Sequence, residues 1–173
     1  VHDVTRRYGV PLWVKIRAGW NSSSINAPEF ARMLAENGAS LITVHGRTRE
    51  QMYMPSSDNG VIRRVREAVP EEIPVIGNGG IFTADDALKM ISETKCDGLM
   101  IARGAVGNPF IFAEISAKLS QKEYKAPEIS EKLDVALEHA RLMASDKGEN
   151  VSVHELKKHI AAYIHDVRGA AAF

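Results

Sequence analysis

The sequence predicts an α/β fold in which parallel strands alternate with helices. Four short apolar runs are each followed by a segment whose apolar residues recur at helical spacing. Most of the runs are aliphatic, as expected of strands that are covered on both faces. Repeated strand–helix units of this kind form parallel βαβ units with right-handed crossovers. Four units fit either a small open sheet or half of an eight-unit barrel, and the strands alone do not decide between them.

The strands and helices are assigned from local signals. The predicted strands cover residues 11–17, 40–45, 73–77 and 97–102. Pro28 suits the first turn of the helix after the first strand. Asp58 can cap the next helix, and Thr83 with Asp86 resembles a capping box for the third. Asn108 precedes a fourth helical segment.

After residue 121 the strand–helix alternation stops. Residues 122–127 form a polar linker, and two helical patterns follow with no strand between them. Ser152 and Glu155 predict a capping box for the second of these helices. We therefore assign residues 1–121 to a strand–helix domain and residues 128–173 to the start of an all-helical domain.

The amino-acid composition excludes several classes of protein. The 173 residues include 22 basic and 22 acidic side chains, so a wholly basic nucleic-acid binder is excluded and nucleic acid would bind only through local patches. A single cysteine, Cys96, excludes an internal disulfide framework and a cysteine-rich zinc site. It fits a reducing compartment, and we expect a cytoplasmic protein. No Cys or carboxylate pattern completes a metal site around the histidines.

The ends of the sequence suggest a piece of a longer protein. The chain opens on Val1, and the residues that follow read like the tail of a helix. No signal peptide is recognisable, and no apolar run approaches the roughly 20 residues of a membrane span.

Polar residues collect at the carboxyl ends of the predicted strands, where parallel α/β folds bind ligands. They are Lys15, Arg17, His45, Arg47, Asn78 and Arg103. Alternation along a strand turns Lys15 and His45 inward, and Val14 and Ile16 outward. A lysine between Val14 and Ile16 is costly to bury unless it meets an anion. Either a salt bridge inside a barrel or a cation aimed at a ligand satisfies this requirement.

Two glycine-rich turns follow the third and fourth strands. Residues 77–80 read Gly-Asn-Gly-Gly, and residues 102–104 read Ala-Arg-Gly. Such turns allow positive φ angles and expose backbone N–H groups to an anion. In eight-unit barrels a phosphate is often bound after strands seven and eight. Tight strand-to-helix turns without a ligand remain the alternative.

Four motifs in order resemble the tRNA-dihydrouridine synthases, closest to their bacterial branch. They are VKIRAGW (14–20), TVHGRTR (43–49), PVIGNGGI (74–81) and MIARGA (100–105). Lys158, His159, Ile160 and Tyr163 also resemble the start of that family's helical domain. The resemblance implies the C-terminal half of a (β/α)8 TIM barrel followed by the start of a helical tRNA-binding domain. It implies FMN as hydride carrier, NADPH as the usual reductant, and reduction of the C5–C6 bond of uridine in tRNA.

The resemblance also implies residue roles. Lys15 would lie by the flavin ring near N1 and O2, where a cation stabilises the reduced anionic flavin, and His45 would also contact FMN. The phosphate would be held by five residues: Asn78, Gly79, Gly80, Ala102 and Arg103. Ala102 departs from the glycine usual in the family. Arg47 and Arg49 would lie towards the tRNA.

The catalytic cysteine that protonates uracil in this family belongs to a loop upstream of the Lys15 strand. Cys96 does not match it, so we expect no catalytic residue in this chain. A half barrel would have open edges, so the isolated chain is expected to be inactive and to self-associate.

Three other functions fit parts of the pattern. One is another FMN-dependent barrel, such as a dihydroorotate dehydrogenase. The second is a flavin-free phosphate-binding barrel, an isomerase or aldolase with Lys15 as a Schiff-base or anion-binding lysine. The third is a non-catalytic RNA-binding module, against which the neutral net charge weighs.

Overall fold

A four-stranded parallel sheet organises the first part of the chain. The strands are β1 (Leu12–Arg17), β2 (Ala39–His45), β3 (Val75–Asn78) and β4 (Gly98–Met100), paired in that order. The helices are α1 (His2–Tyr8), α2 (Ala27–Glu36), α3 (Asn59–Ala68) and α4 (Ala84–Thr94). This computed structural model describes residues 2–52 and 57–165. The predicted α/β class and parallel sheet are confirmed.

Helices cover one face of the sheet. Helices α2, α3 and α4 each pack on the strands, and right-handed crossovers that advance in one direction place them on the same face. On that face Ile16, Ile42 and Val44 are buried, each contributing about 1.5–3 kcal/mol of apolar burial. The side chains on the opposite face, here called the open face, are more exposed to solvent. Trp13, for example, is 69% exposed. The predicted alternation is confirmed, with Thr43 as a buried exception on the open face.

Two of the predicted helix caps form as expected. The Asp58 side chain accepts a hydrogen bond from the Gly60 N–H at the start of α3. Thr83 and Asp86 form a reciprocal capping box at the start of α4. Each such cap contributes on the order of 1 kcal/mol by pairing N–H groups that a helix start leaves open.

The second part of the chain is helical. Contacts divide the chain into two units, Val1–Ala102 and Arg103–Phe173. The second unit holds a short 3-10 helix (Arg103–Ala105), α5 (Ile111–Leu119), α6 (Ile129–Lys147) and α7 (Glu149–Ile164). Helix α5 thus groups with the second unit, although the sequence assigned it to the strand–helix domain. The functional domains predicted over residues 1–121 and 128–173 stay predictions, and residues 166–173 lie outside the described residues.

Helices α6 and α7 pack against each other through aromatic rings. The His139 ring lies 5.0 Å from that of His159 and 6.1 Å from that of Tyr163, centroid to centroid. Burial and then the neighbouring His139 lower the pKa of His159. The predicted capping box at Ser152 is wrong, because α7 already begins at Glu149. Within the described part of the chain, no helix combines the length and apolarity that a membrane crossing requires.

An ion pair fastens the amino edge of the sheet. The Arg66 guanidinium on α3 meets the Asp97 carboxylate just before β4, with Nη1 and Oδ2 2.5 Å apart. The same carboxylate oxygen accepts a hydrogen bond of 2.8 Å from the Val75 N–H. The guanidinium also donates to the carbonyl oxygens of Val69, Pro70 and Ile73. One cation–carboxylate pair thus joins α3, β3 and β4 at the edge opposite the predicted site.

We expect Asp97→Asn to lower the free energy of unfolding by about 1–2 kcal/mol at pH 7. Burial alone would raise the pKa of Asp97, but the Val75 N–H and Arg66 outweigh it and leave that pKa below its usual value. A depressed carboxyl pKa contributes stability above the unfolded-state pKa, and this stability is lost as pH falls through the folded-state value. The difference between the proteins should therefore shrink below about pH 3.

Urea denaturation at pH 7 and at low pH measures this difference. Glu67→Gln is the control, because Glu67 pairs with Arg63 on the exposed surface at 3.8 Å and should contribute little. An equal loss in both variants, or a loss from Asp97→Asn that does not depend on pH, would contradict the assignment.

Candidate functional site

The carboxyl edge of the sheet carries a row of polar side chains. The strand register aligns Arg17 with His45 and His45 with Asn78, which places their side chains on the same, open face. Asn78 is also aligned with Met100, and its Nδ2 donates a hydrogen bond of 2.7 Å to the Met100 carbonyl oxygen. The structure therefore brings together Arg17, His45 and Asn78, three of the polar residues that the sequence predicted at this edge.

Hydrogen bonds hold the loops after these strands in place. The Ala18 N–H donates to the carbonyl oxygens of His45 at 3.0 Å and Arg47 at 3.1 Å. The Gly46 N–H donates to the Asn78 carbonyl oxygen at 3.2 Å. The Arg17 Nη1 donates to the Thr48 carbonyl oxygen at 3.1 Å. Three loops that are distant in sequence thus form one connected rim.

The turn after β3 requires glycine. Gly79 and Gly80 have φ angles of +111° and +75°, which other residues rarely adopt. A Cβ at Gly79 would lie 2.6 Å from His45 Cδ2 and 2.8 Å from Ser57 Oγ. Apart from bonds within helices and strands, the N–H groups of Gly79 and Gly80 donate to no backbone carbonyl oxygen of the described residues. The turn packs directly on the His45 ring and presents N–H groups suited to an anion.

Lys15 lies two residues before Arg17 on β1 and is aligned with Thr43 of β2. Its side chain is exposed on the open face, which is the face that the predicted alternation turned inward. Partial burial and then the nearby Arg17 cation lower the pKa of Lys15. A bound anion would favour the charged form of Lys15 and so oppose both effects.

The two arginines predicted to face tRNA lie in different environments. Arg49 is exposed, and its Nη1 lies 3.2 Å from the Met52 sulfur. Arg47 is only 2% exposed and already takes part in polar interactions. The tRNA-facing role stays a prediction for both residues, but surface contact without rearrangement is open only to Arg49. Sequence spacing could not distinguish them, because tertiary packing buries the loop at Arg47.

Ala102 and Arg103 follow β4. Ala102 is exposed at the end of the first unit, and Arg103 begins the 3-10 helix of the second. Arg103 is engaged in a polar interaction. Its share in a phosphate site stays a prediction.

A polar cavity of about 160 Å³ beside the glycine turn was not predicted. It is lined by Ser57, Asn59, Asp86 and Lys89 together with the two glycines and Met90. The Ser57 hydroxyl is buried, with no hydrogen-bond partner among the described residues. Ser57 stands next to the cap residue Asp58, but its contact with Gly79 depends on tertiary packing that no local pattern reveals.

Comparison with known proteins now identifies the family. The whole chain, residues 1–173, matches the sequence model described as Dihydrouridine synthase (Dus). The chain belongs to the dihydrouridine synthase family. The family resemblance seen in the four sequence motifs is thereby confirmed.

Curated relatives carry the same family name. The chain is 41% identical to "Probable tRNA-dihydrouridine synthase 1" of Synechocystis sp., over 99% of this chain and 48% of that protein. It is 39% identical to the "Probable tRNA-dihydrouridine synthase" of Rickettsia conorii, over 95% of this chain and 49% of that protein. The protein of that name from Rhizobium leguminosarum is 37% identical, over 99% of this chain and 52% of that protein. The chain spans about half the length of these relatives.

One solved structure is similar at low level. The nitroalkane oxidase from Streptomyces ansochromogenes shares 21% identity with a TM-score of 0.42, over 61% of this chain and 31% of that one. At this level of similarity the match supports no conclusion about the site.

Two glycine-to-alanine variants test the local geometry of the turn, with Gly9→Ala as the control for Gly79→Ala. We expect Gly9→Ala to lower the free energy of unfolding by about 1 kcal/mol, because Gly9 has a φ of +65° but open space around its Cα. Gly79→Ala should cost at least about 2 kcal/mol more, because the new methyl also meets His45 and Ser57. Chemical denaturation of both variants measures the difference, and equal losses would contradict this geometry.

Proposed function

We propose that the intact protein containing this chain reduces uridine to 5,6-dihydrouridine in tRNA, with FMN as hydride carrier and NADPH as reductant. The observation that carries the proposal is the family match along the entire chain. The relatives are 36–41% identical and are named as probable tRNA-dihydrouridine synthases, which supports tRNA as the substrate. These comparisons favour this function over a dihydroorotate dehydrogenase, a flavin-free barrel or a non-catalytic RNA-binding module.

The residues at the carboxyl edge fit a phosphorylated flavin. The Gly79–Gly80 turn has two successive positive φ angles, a backbone conformation in which N–H groups can bind an anion. The lowered pKa of Lys15 indicates a cation that gains from an adjacent negative charge. When bound, FMN supplies hydride transfer, and Lys15 would support the negative charge of the reduced ring near N1 and O2.

The remaining site residues receive roles that follow from their contacts. Asn78 would position the turn, because its amide is already committed to the Met100 carbonyl. His45 would form the wall against which Gly79 and the cofactor pack. Ala102, the last residue of the first unit, would contribute to the phosphate site from the next strand end, and the phosphate-binding role of Arg103 stays a prediction.

We further propose that the sheet is the C-terminal half of a (β/α)8 barrel, with a helical tRNA-binding domain beginning in the second unit. Two features support this: among residues 2–52 and 57–165, β1 and β4 each have one edge that pairs with no other strand, and the open face exposes Trp13. The proton-donating cysteine would come from a segment outside this chain. Cys96 does not suit that role, because it is buried below the amino edge and packs near Gly77. The isolated chain would then be inactive, and its open face and edges would favour self-association.

The test uses the intact protein and its Lys15→Ala variant. The intact protein should show a flavin absorption band, and with NADPH it should add two hydrogens to uridine in unmodified tRNA, detected by mass spectrometry of nucleosides. Lys15→Ala should weaken flavin retention by at least about tenfold, because a charged contact is lost. Lys95→Asn is the control: it removes a cation at the opposite edge and tolerates the left-handed backbone there.

The outcomes separate the two parts of the proposal. An intact protein without flavin, or one that forms no dihydrouridine, would contradict the proposed function. Normal flavin binding and reduction rates in Lys15→Ala would contradict only the role of Lys15.

A further inference from the structure

A second cavity, of about 370 Å³, lies at the carboxyl end of β1, beside the loop that follows this strand and the start of α2. Its described lining includes three cations, Lys15, Arg17 and Arg49, and two aromatic rings, Trp20 and Phe30. No acidic residue stands among the described residues that line it. The cavity therefore combines flat apolar surface with positive charge, although the whole chain is neutral.

The loop that carries Trp20 is firmly built. The N–H of Arg49 donates to the Gly19 carbonyl at 2.9 Å, and the N–H of Glu50 donates to the Trp20 carbonyl at 3.0 Å. Gly19 also forms a β-bridge with Ile25. These bonds tie the loop after β1 to the loop after β2, so the position of Trp20 is fixed at the rim.

The Trp20 side chain is nevertheless 64% exposed, and Phe30 is 41% exposed. An indole held open on an ordered loop presents a stacking surface at little conformational cost. Together with adjacent guanidinium groups, such a surface recognises an unpaired nucleotide, with the base on the ring and the phosphate on the cation.

We propose that Trp20 stacks on an unpaired base of the tRNA at the carboxyl edge, with Arg49 at a neighbouring phosphate. This inference rests on the proposed function, since it assumes that tRNA is the substrate. Trp20 would then be a substrate-binding residue whose contribution to tRNA affinity is largely independent of salt. Arg49 would add an electrostatic contribution that depends on salt.

The experiment compares variants of the intact protein in binding to unmodified tRNA over a range of salt concentrations. Trp20→Ala removes the stacking surface, and Trp20→Phe keeps a smaller one. Arg49→Gln removes the charge. Tyr8→Ala is the matched control, because Tyr8 is 69% exposed on α1, which leads into the amino end of β1. Flavin content, thermal midpoint and the KM for NADPH are measured for each variant.

We expect Trp20→Ala to raise the Kd for tRNA at least about fivefold with an unchanged salt slope, since base–aromatic stacking contributes about 1–3 kcal/mol. Trp20→Phe should stay within about twofold of the parent and Tyr8→Ala should match it. Arg49→Gln should reduce the slope of log Kd against log salt by about 0.7. Flavin content should not change in any of them.

Several results would overturn the inference. If the parent protein and the Trp20→Ala variant bind tRNA equally well, Trp20 has no stacking role, and the proposed function is unaffected. An equal loss in Tyr8→Ala would show a nonspecific effect. A raised KM for NADPH with unchanged tRNA binding would assign the cavity to the dinucleotide. A parent that fails to bind tRNA at all would overturn the proposed function together with the inference.

Discussion

The parallel register of the first three strands is the constraint on which the candidate site depends. It aligns the final residues Arg17, His45 and Asn78 in one row, so three distant segments present side chains to the same small volume. Hydrogen bonds between the loops then extend this alignment beyond the strands. A slip of one residue in any strand would turn its polar end towards the helices and dismantle the row.

Stability and function use different surfaces of the same sheet. The helix-covered face buries Ile42 and Val44 completely, and the Arg66–Asp97 pair fastens the amino edge. The carboxyl edge instead holds features that cost free energy: a buried unpaired hydroxyl at Ser57, two positive φ angles, and a lysine beside an arginine. Such features are concentrated where a ligand would compensate them, which is the expected pattern of a binding site.

Much of the fold could be predicted from local patterns, because its strands are short aliphatic runs and two of its helices begin at strong caps. The strands, the Asp58 cap and the Thr83–Asp86 box all rest on residues that are close in sequence. One failure concerns where a helix begins, and the others involve contacts between distant residues. Ser152 donates to the carbonyl oxygens of Met143 and Gly148 inside a helix that had already begun. Arg47 and Ser57 are buried by packing that sequence periodicity does not record.

The Gly79–Gly80 turn packs against the His45 ring, so the sheet register that places His45 also fixes this turn at the carboxyl edge. The most direct test is NMR of the intact protein with 15N-labelled glycine during titration with FMN. If the glycine turn holds the phosphate, the amide signals of Gly79 and Gly80 will shift and saturate with FMN, while those of Gly9 and Gly148 will stay unchanged. Saturating FMN binding without any shift at Gly79 or Gly80 would place the phosphate elsewhere and contradict the account.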